Sequence, residues 1–143
     1  MTHAISAVFI NLLSSIMNLF IVEDSVLIQN RLVQFIEELP GMRIMGVSGD
    51  VTDAYRSILD VNPDAMILDL QLGDGNGLSL LKEIKKNKPN IKVMILTNHA
   101  TDDNRLHALR AGADNFLDKS TDFQQIPRIL REWQCASSAT NLN

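Results

Sequence analysis

Residues 65–97 read AMILDLQLGDGNGLSLLKEIKKNKPNIKVMILT, and this stretch decides the fold. It opens on an unbroken apolar run, Ala65–Leu68, that Asp69 stops. A run without polar alternation is the pattern of a strand covered on both faces. Turn formers follow in Gly73-Asp74-Gly75-Asn76-Gly77. Leu78, Leu81 and Ile84 then recur at helical spacing, with Lys82, Lys85 and Lys86 predicted outward, and Pro89 ends the helix. Ile91–Leu96 is a second apolar run, ending at Thr97. Strand, crossover helix and strand make a parallel unit.

The same alternation extends both ways. Asn18–Val22 reads as a strand ending in Glu23-Asp24, after which Ser25 caps a helix with Ile28, Leu32, Phe35, Ile36 and Leu39 on one face. Pro40-Gly41 stops it, and Arg43–Gly49 follows as a less apolar strand, placed near a sheet edge. Asp50 or Thr52 opens a helix that ends before Asn62-Pro63. Downstream, Asp102–Ala111 is a helix closed by Gly112, then Asn115–Leu117 is a short strand leading into Asp118-Lys119-Ser120. A last helix covers roughly residues 125–133, with Pro127 in its first turn, and Cys135–Asn143 reads as a loose tail. Five β-then-α units predict an α/β fold, a parallel sheet with helices on both faces, as one domain over residues 17–134.

Composition agrees. Of 143 residues, 45% are hydrophobic and 21% charged, which excludes wholesale disorder. The net charge of −4 lacks the basic excess of a nucleic-acid binder, so no direct nucleic-acid partner is expected. The single cysteine, Cys135, can form no internal disulfide and no zinc cluster, which fits a cytoplasmic protein. Between Ala4 and Val22 no side chain is charged, but Ser6, Asn11, Ser14, Ser15 and Asn18 interrupt the stretch and no Lys or Arg precedes it. A membrane span or secretory signal is therefore not expected. Ile5, Val8, Phe9, Leu12, Leu13 and Ile16 would line one face of an amphipathic helix; the plainer reading makes residues 1–16 an extension ahead of a start at Met17.

Chemistry gathers at the carboxyl ends of the strands, where parallel sheets bind ligands. Strand one ends in Glu23-Asp24, strand three in Asp69, strand four in Thr97, and Lys119 follows strand five. An Asp after a strand is ordinarily a turn residue, and a lone Lys there a solvated charge. All of them at one edge demand another account. Two like charges at 4 Å cost about 4 kcal/mol at an effective dielectric of 20, so three carboxylates call for a cation. Few, hard oxygen ligands suit Mg²⁺. An Asp beside a metal, a lysine and a hydroxyl is placed for attack on a phosphoryl group.

Four runs carry a resemblance. Phe20-Ile21-Val22-Glu23-Asp24-Ser25, Met66-Ile67-Leu68-Asp69-Leu70, Ile95-Leu96-Thr97 and Phe116-Leu117-Asp118-Lys119 resemble the signatures of response-regulator receiver domains, over about residues 18–133. The resemblance implies a doubly wound, flavodoxin-like three-layer sandwich with a five-stranded sheet in the order 2-1-3-4-5. It implies that Asp69 is the phosphoacceptor, served by a sensor histidine kinase or a histidine phosphotransfer protein. Asp24 and Asp69 would ligate Mg²⁺ directly, Glu23 through water, and Gln71 through its carbonyl; Thr97 and Lys119 would contact phosphoryl oxygens. Phe116 takes the place of the switch aromatic, which turns inward as the threonine moves, and Gln71 and His99 stand where dephosphorylation is tuned. Output would be phosphorylation-dependent contact with an unidentified protein, and at most weak pairing with a second copy. This sequence departs in having Ser120 where proline commonly follows the lysine, and extra glycine after Asp69.

The chain ends some ten residues after the last predicted helix, so the expectation is a stand-alone regulator and not a turnover enzyme. The rival enzyme class is an aspartate-nucleophile phosphatase, which needs a second Asp where Gln71 stands and its nucleophile on the first strand. A flavodoxin-like cofactor carrier would want a hydroxyl-rich loop where Glu23-Asp24 lie. A phosphorylation-independent interaction module would have no use for the acidic constellation. The run Lys82, Lys85, Lys86, Lys88 reads as a solvated helix face.

Overall fold

The computed structural model describes residues 16–73 and 75–141, so the extension expected over 1–16 lies, apart from Ile16, outside the described residues. The apolar runs form a parallel sheet of β1 (Met17–Val22), β2 (Met42–Ser48), β3 (Ala65–Leu68), β6 (Lys92–Thr97) and β7 (Asn115–Asp118). The spatial order is β2-β1-β3-β6-β7, the 2-1-3-4-5 order expected once a small ribbon between β3 and β6 is set aside. Side-chain alternation explains why these strands are apolar throughout. Phe20, Val22, Met66, Leu68, Val93, Ile95 and Phe116 face one core, and Leu19, Ile21, Ala65, Ile67, Met94, Leu96 and Leu117 face the other.

Helices α1 (Val26–Glu37) and α5 (Ile126–Asn141) cover the second core with Leu32, Ile36, Ile126, Ile129 and Leu130. Helices α2 (Val51–Val61), α3 (Gly77–Asn87) and α4 (Asp102–Arg110) cover the first with Ala54, Ile58, Leu80, Leu81, Ile84 and Ala108. Strand β2 is an edge, as its weaker hydrophobicity predicts, and its register with β1 slips at Leu19/Phe20. Phe20 pairs with Gly46, where a Cβ would lie 2.6 Å from the Phe20 ring, so the ring takes the space a side chain would need. Gly112 follows α4 at φ +105, the left-handed stop the sequence predicts.

Three expectations are corrected. The glycine-rich stretch after Asp69 is a ribbon in which β4 (Gln71–Leu72) pairs antiparallel with β5 (Gly75–Asn76). Two-residue strands leave no periodicity for a sequence to show. The last helix does not stop near Trp133 but continues to Asn141, through Ala136 and Ser137 where no glycine or proline interrupts it. The segment expected to be a loose tail is therefore helical up to that residue. Lys85, expected outward, turns in: its Nζ donates to the carbonyl of Ile91 at 2.7 Å and pairs with Asp114 at 2.9 Å. Among the described residues no helix is long and apolar enough to cross a membrane.

Candidate functional site

The sheet itself positions the chemistry. Its hydrogen-bond ladder runs one residue beyond the ends of β1, β3 and β7, with the amide of Glu23 donating to Ser48, that of Asp69 to Val22, and that of Lys119 to Thr97, at 2.9–3.0 Å. Glu23, Asp69 and Lys119 thereby share one edge, with Thr97 at the end of β6 beside Asp118. Glu23, Asp69 and Thr97 are buried, and Asp24 is exposed.

Lys119 ties the acids together. Its Nζ lies 2.7 Å from Asp69 Oδ2 and 2.8 and 3.0 Å from the two oxygens of Glu23. Burial pushes the Glu23 carboxyl up to about 7, against the pull of Lys119. Burial alone would lower Lys119, but its hydrogen bonds to Asp69 and Glu23 outweigh that and raise it, so the ammonium stays charged at neutral pH.

One carboxylate oxygen each from Glu23, Asp24 and Asp69 lies within 4.8 Å of the others. Ligands on one Mg²⁺, at about 2.1 Å from the ion, sit about 3–4 Å apart, so this hard-oxygen set fits that cation with small side-chain adjustment. Asp24 already has a partner, accepting from the Gly73 amide at 3.0 Å and so pinning the ribbon. The Gln71 amide donates to Asp69 Oδ1 at 3.2 Å, which holds Gln71 next to the cluster. Behind the site, a Cβ on Gly77 would lie 2.2 Å from the Asp69 carbonyl oxygen, so only glycine lets α3 start this close.

The family model of the response regulator receiver domain matches residues 19–131. The chain belongs to this family. Receiver domains act in two-component signalling as phosphoacceptors. The receiver is 28% identical over 113 residues to the DNA-binding transcriptional activator DevR/DosR of Mycobacterium tuberculosis, covering 79% of this chain and 52% of that protein. It is 36% identical over 116 residues to a protein-glutamate methylesterase/protein-glutamine glutaminase of Carboxydothermus hydrogenoformans, covering 80% of this chain and 34% of that protein. The chain thus spans about half the length, or less, of such curated relatives. Among solved structures it is similar to a DNA-binding response regulator of the LuxR family from Staphylococcus aureus, at TM-score 0.77 and 26% identity, covering 83% of this chain and 99% of that one. The response regulator domain of Thermotoga maritima CheB gives TM-score 0.73 and 25% identity, covering 87% and 97%.

Around the receiver's acidic edge lie contacts that residue spacing does not reveal. Thr97 Oγ1 accepts from the His99 amide at 3.1 Å, and the His99 carbonyl accepts from Asn104 Nδ2 at 2.7 Å. Gln71 and His99 are both exposed. Phe116 is buried, its ring under the guanidinium of Arg105, whose Cζ stands 4.8 Å from the ring centroid. Ser120, the departure from the family's proline, donates through amide and hydroxyl to Asp118 Oδ1 at 2.8 and 2.7 Å, and these bonds hold that carboxyl below its ordinary value. Nothing in one-dimensional spacing links Arg105 to Phe116; the pairing exists only once α4 lies against β7.

Proposed function

We propose that this receiver accepts a phosphoryl group on Asp69 from the phosphohistidine of a histidine kinase or histidine phosphotransfer protein, and signals through protein contacts that depend on it. The observation that carries this reading is the buried Asp69 carboxylate, bonded at 2.7 Å to Lys119 among two further acids. An Asp69 oxygen attacks phosphorus as the bond from phosphorus to the donor imidazole breaks; the nitrogen keeps the electron pair and is protonated. Lys119, already on Asp69, meets the phosphoryl oxygens that arrive there. Thr97 exchanges the His99 amide for a phosphoryl oxygen, to which its hydroxyl donates. Mg²⁺, when held by Glu23, Asp24, Asp69 and the carbonyl of Gln71, supplies neutralising charge for the transferred group.

Phe116, in the same reading, is the aromatic whose packing changes with Thr97, and Gln71 and His99 flank the product and tune its hydrolysis. The reading carries a cytoplasmic location and an output borne by surface contacts rather than by nucleic acid. Incubation with acetyl phosphate and Mg²⁺ is expected to add one phosphoryl group by intact mass, and Asp69→Asn to abolish it. A protein left unlabelled by both acetyl phosphate and a kinase overturns the proposal. Continuous release of inorganic phosphate over many turnovers would point to the phosphatase class instead.

A further inference from the structure

Helix α4 is weakly seated. Of its residues only Ala108 is buried, while Leu106 and Leu109 are 45% and 46% exposed. Its first turn is joined to the reactive edge through the Asn104 side chain on the His99 carbonyl, and His99 in turn holds the Thr97 hydroxyl. The next residue, Arg105, reaches across to β7. Its guanidinium covers the Phe116 ring at 4.8 Å, Nη1 donates to the Phe116 carbonyl at 3.4 Å, and its charge acts on the Asp118 carboxylate. The contacts form a loop: Thr97 to His99, His99 to Asn104, Arg105 to Phe116, and Phe116 along β7 to Asp118, whose strand partner is Thr97.

From this closed loop we propose that Arg105 is a positioning residue, a latch that keeps α4 on Phe116 and so sets how readily Thr97 turns toward a phosphoryl group. The proposal rests on Asp69 being the phosphoacceptor. When Thr97 leaves the His99 amide, the connection at the start of α4 slackens, and Arg105 then opposes displacement of the helix. Through the guanidinium on the Phe116 ring and carbonyl, the helix stays tied to β7. A planar guanidinium can lie on a ring and donate in its own plane at once; an ammonium can keep the attraction but not that geometry. Arg105 is exposed, so its substitution leaves both hydrophobic cores intact.

Arg105→Ala and Arg105→Lys in the full chain test the latch in two ways. In metal-free, unphosphorylated protein, amide hydrogen exchange over residues 102–110 is expected to rise roughly two- to fivefold in Arg105→Ala, the size of one exposed cation–ring contact, with a smaller rise in Arg105→Lys. Unchanged exchange there overturns the latch. With Mg²⁺ and beryllofluoride as the phosphoryl mimic, Arg105→Ala is expected to bind the mimic tighter by a similar factor, because less of the binding energy goes into releasing α4. Faster exchange with unchanged or weaker mimic binding reduces Arg105 to a structural contact and overturns the positioning role. An unsubstituted protein that binds no beryllofluoride overturns the phosphoacceptor reading and the positioning role together, while exchange still decides whether the latch exists.

Discussion

Glu23 shows what a buried acid costs and how the protein limits that cost. Its ordinary value of 4.5 rises to about 7 in the fold because the carboxyl is out of water. Between those values the folded protein holds a proton that the unfolded chain has released, so stability falls as pH rises through the window, and the loss is complete above 7. Urea unfolding in the presence of a chelator is expected to show this fall between about pH 4.5 and 7, and Glu23→Gln to flatten it. An identical slope in the variant would assign the fall to other groups. Lys119, raised from 10.5, adds stability that is present across the neutral range and is lost only as pH rises through its elevated value. Gly77 acts at the same scale by having no side chain. A Cβ there would lie 2.2 Å from the Asp69 carbonyl oxygen and 2.8 Å from Leu70 Cα. Gly77→Ala is expected to cost about 1–3 kcal/mol in denaturant unfolding and to slow acetyl phosphate labelling, since the backbone that must yield carries Asp69, the proposed phosphoacceptor.

Among the elements, the central strands were legible because each is a run covered on both faces and stopped by a polar residue. Glu23 ends one such run and Asp69 another, so reading where the apolar pattern stops also locates the acidic cluster. The ribbon was not legible, nor the far end of α5, where small and polar residues sustain a helix without an apolar stripe to announce it. Gln134, one residue beyond the predicted end, is buried and donates to the Pro40 carbonyl at 3.0 Å, fastening α5 to the turn after α1. Gln134→Ala is expected to lower stability by about 1 kcal/mol, read by the denaturation midpoint. Lys85 turns inward against its helical position, because helical spacing says where a side chain starts and not where a long stem ends. Its partner Asp114 also accepts from the Val93 amide at 2.8 Å, so one carboxylate joins α3, the start of β6 and the turn before β7. Asp114→Ala strands both a partly buried ammonium and an amide, and is expected to cost about 1–3 kcal/mol, with denaturant titration as the check.

For the whole molecule, a doubly wound sheet collects strand ends from distant parts of the sequence, which is why an acid at 23 and a lysine at 119 share a hydrogen bond. That convergence follows from topology, so it was predictable once the alternation of elements had been read. The tether from Arg105 to Phe116 was not, because it depends on the angle at which one helix lies. Under the proposed function, Mg²⁺ held by the acidic cluster would be coupled to the ribbon through Asp24, which accepts from the Gly73 amide. Asp24→Ala is expected to weaken Mg²⁺ binding and to quicken amide exchange at Gly73 even without metal; protection equal to that of the parent protein would show the ribbon to be held otherwise.

The amides of Glu23, Asp69 and Lys119 belong to the same ladder that joins the strands. The backbone of these three residues therefore frays no sooner than the β-sheet does. Heating is expected to extinguish phosphoryl uptake and the far-ultraviolet dichroism at one temperature: chemical competence and global order are a single cooperative property, lost together or not at all.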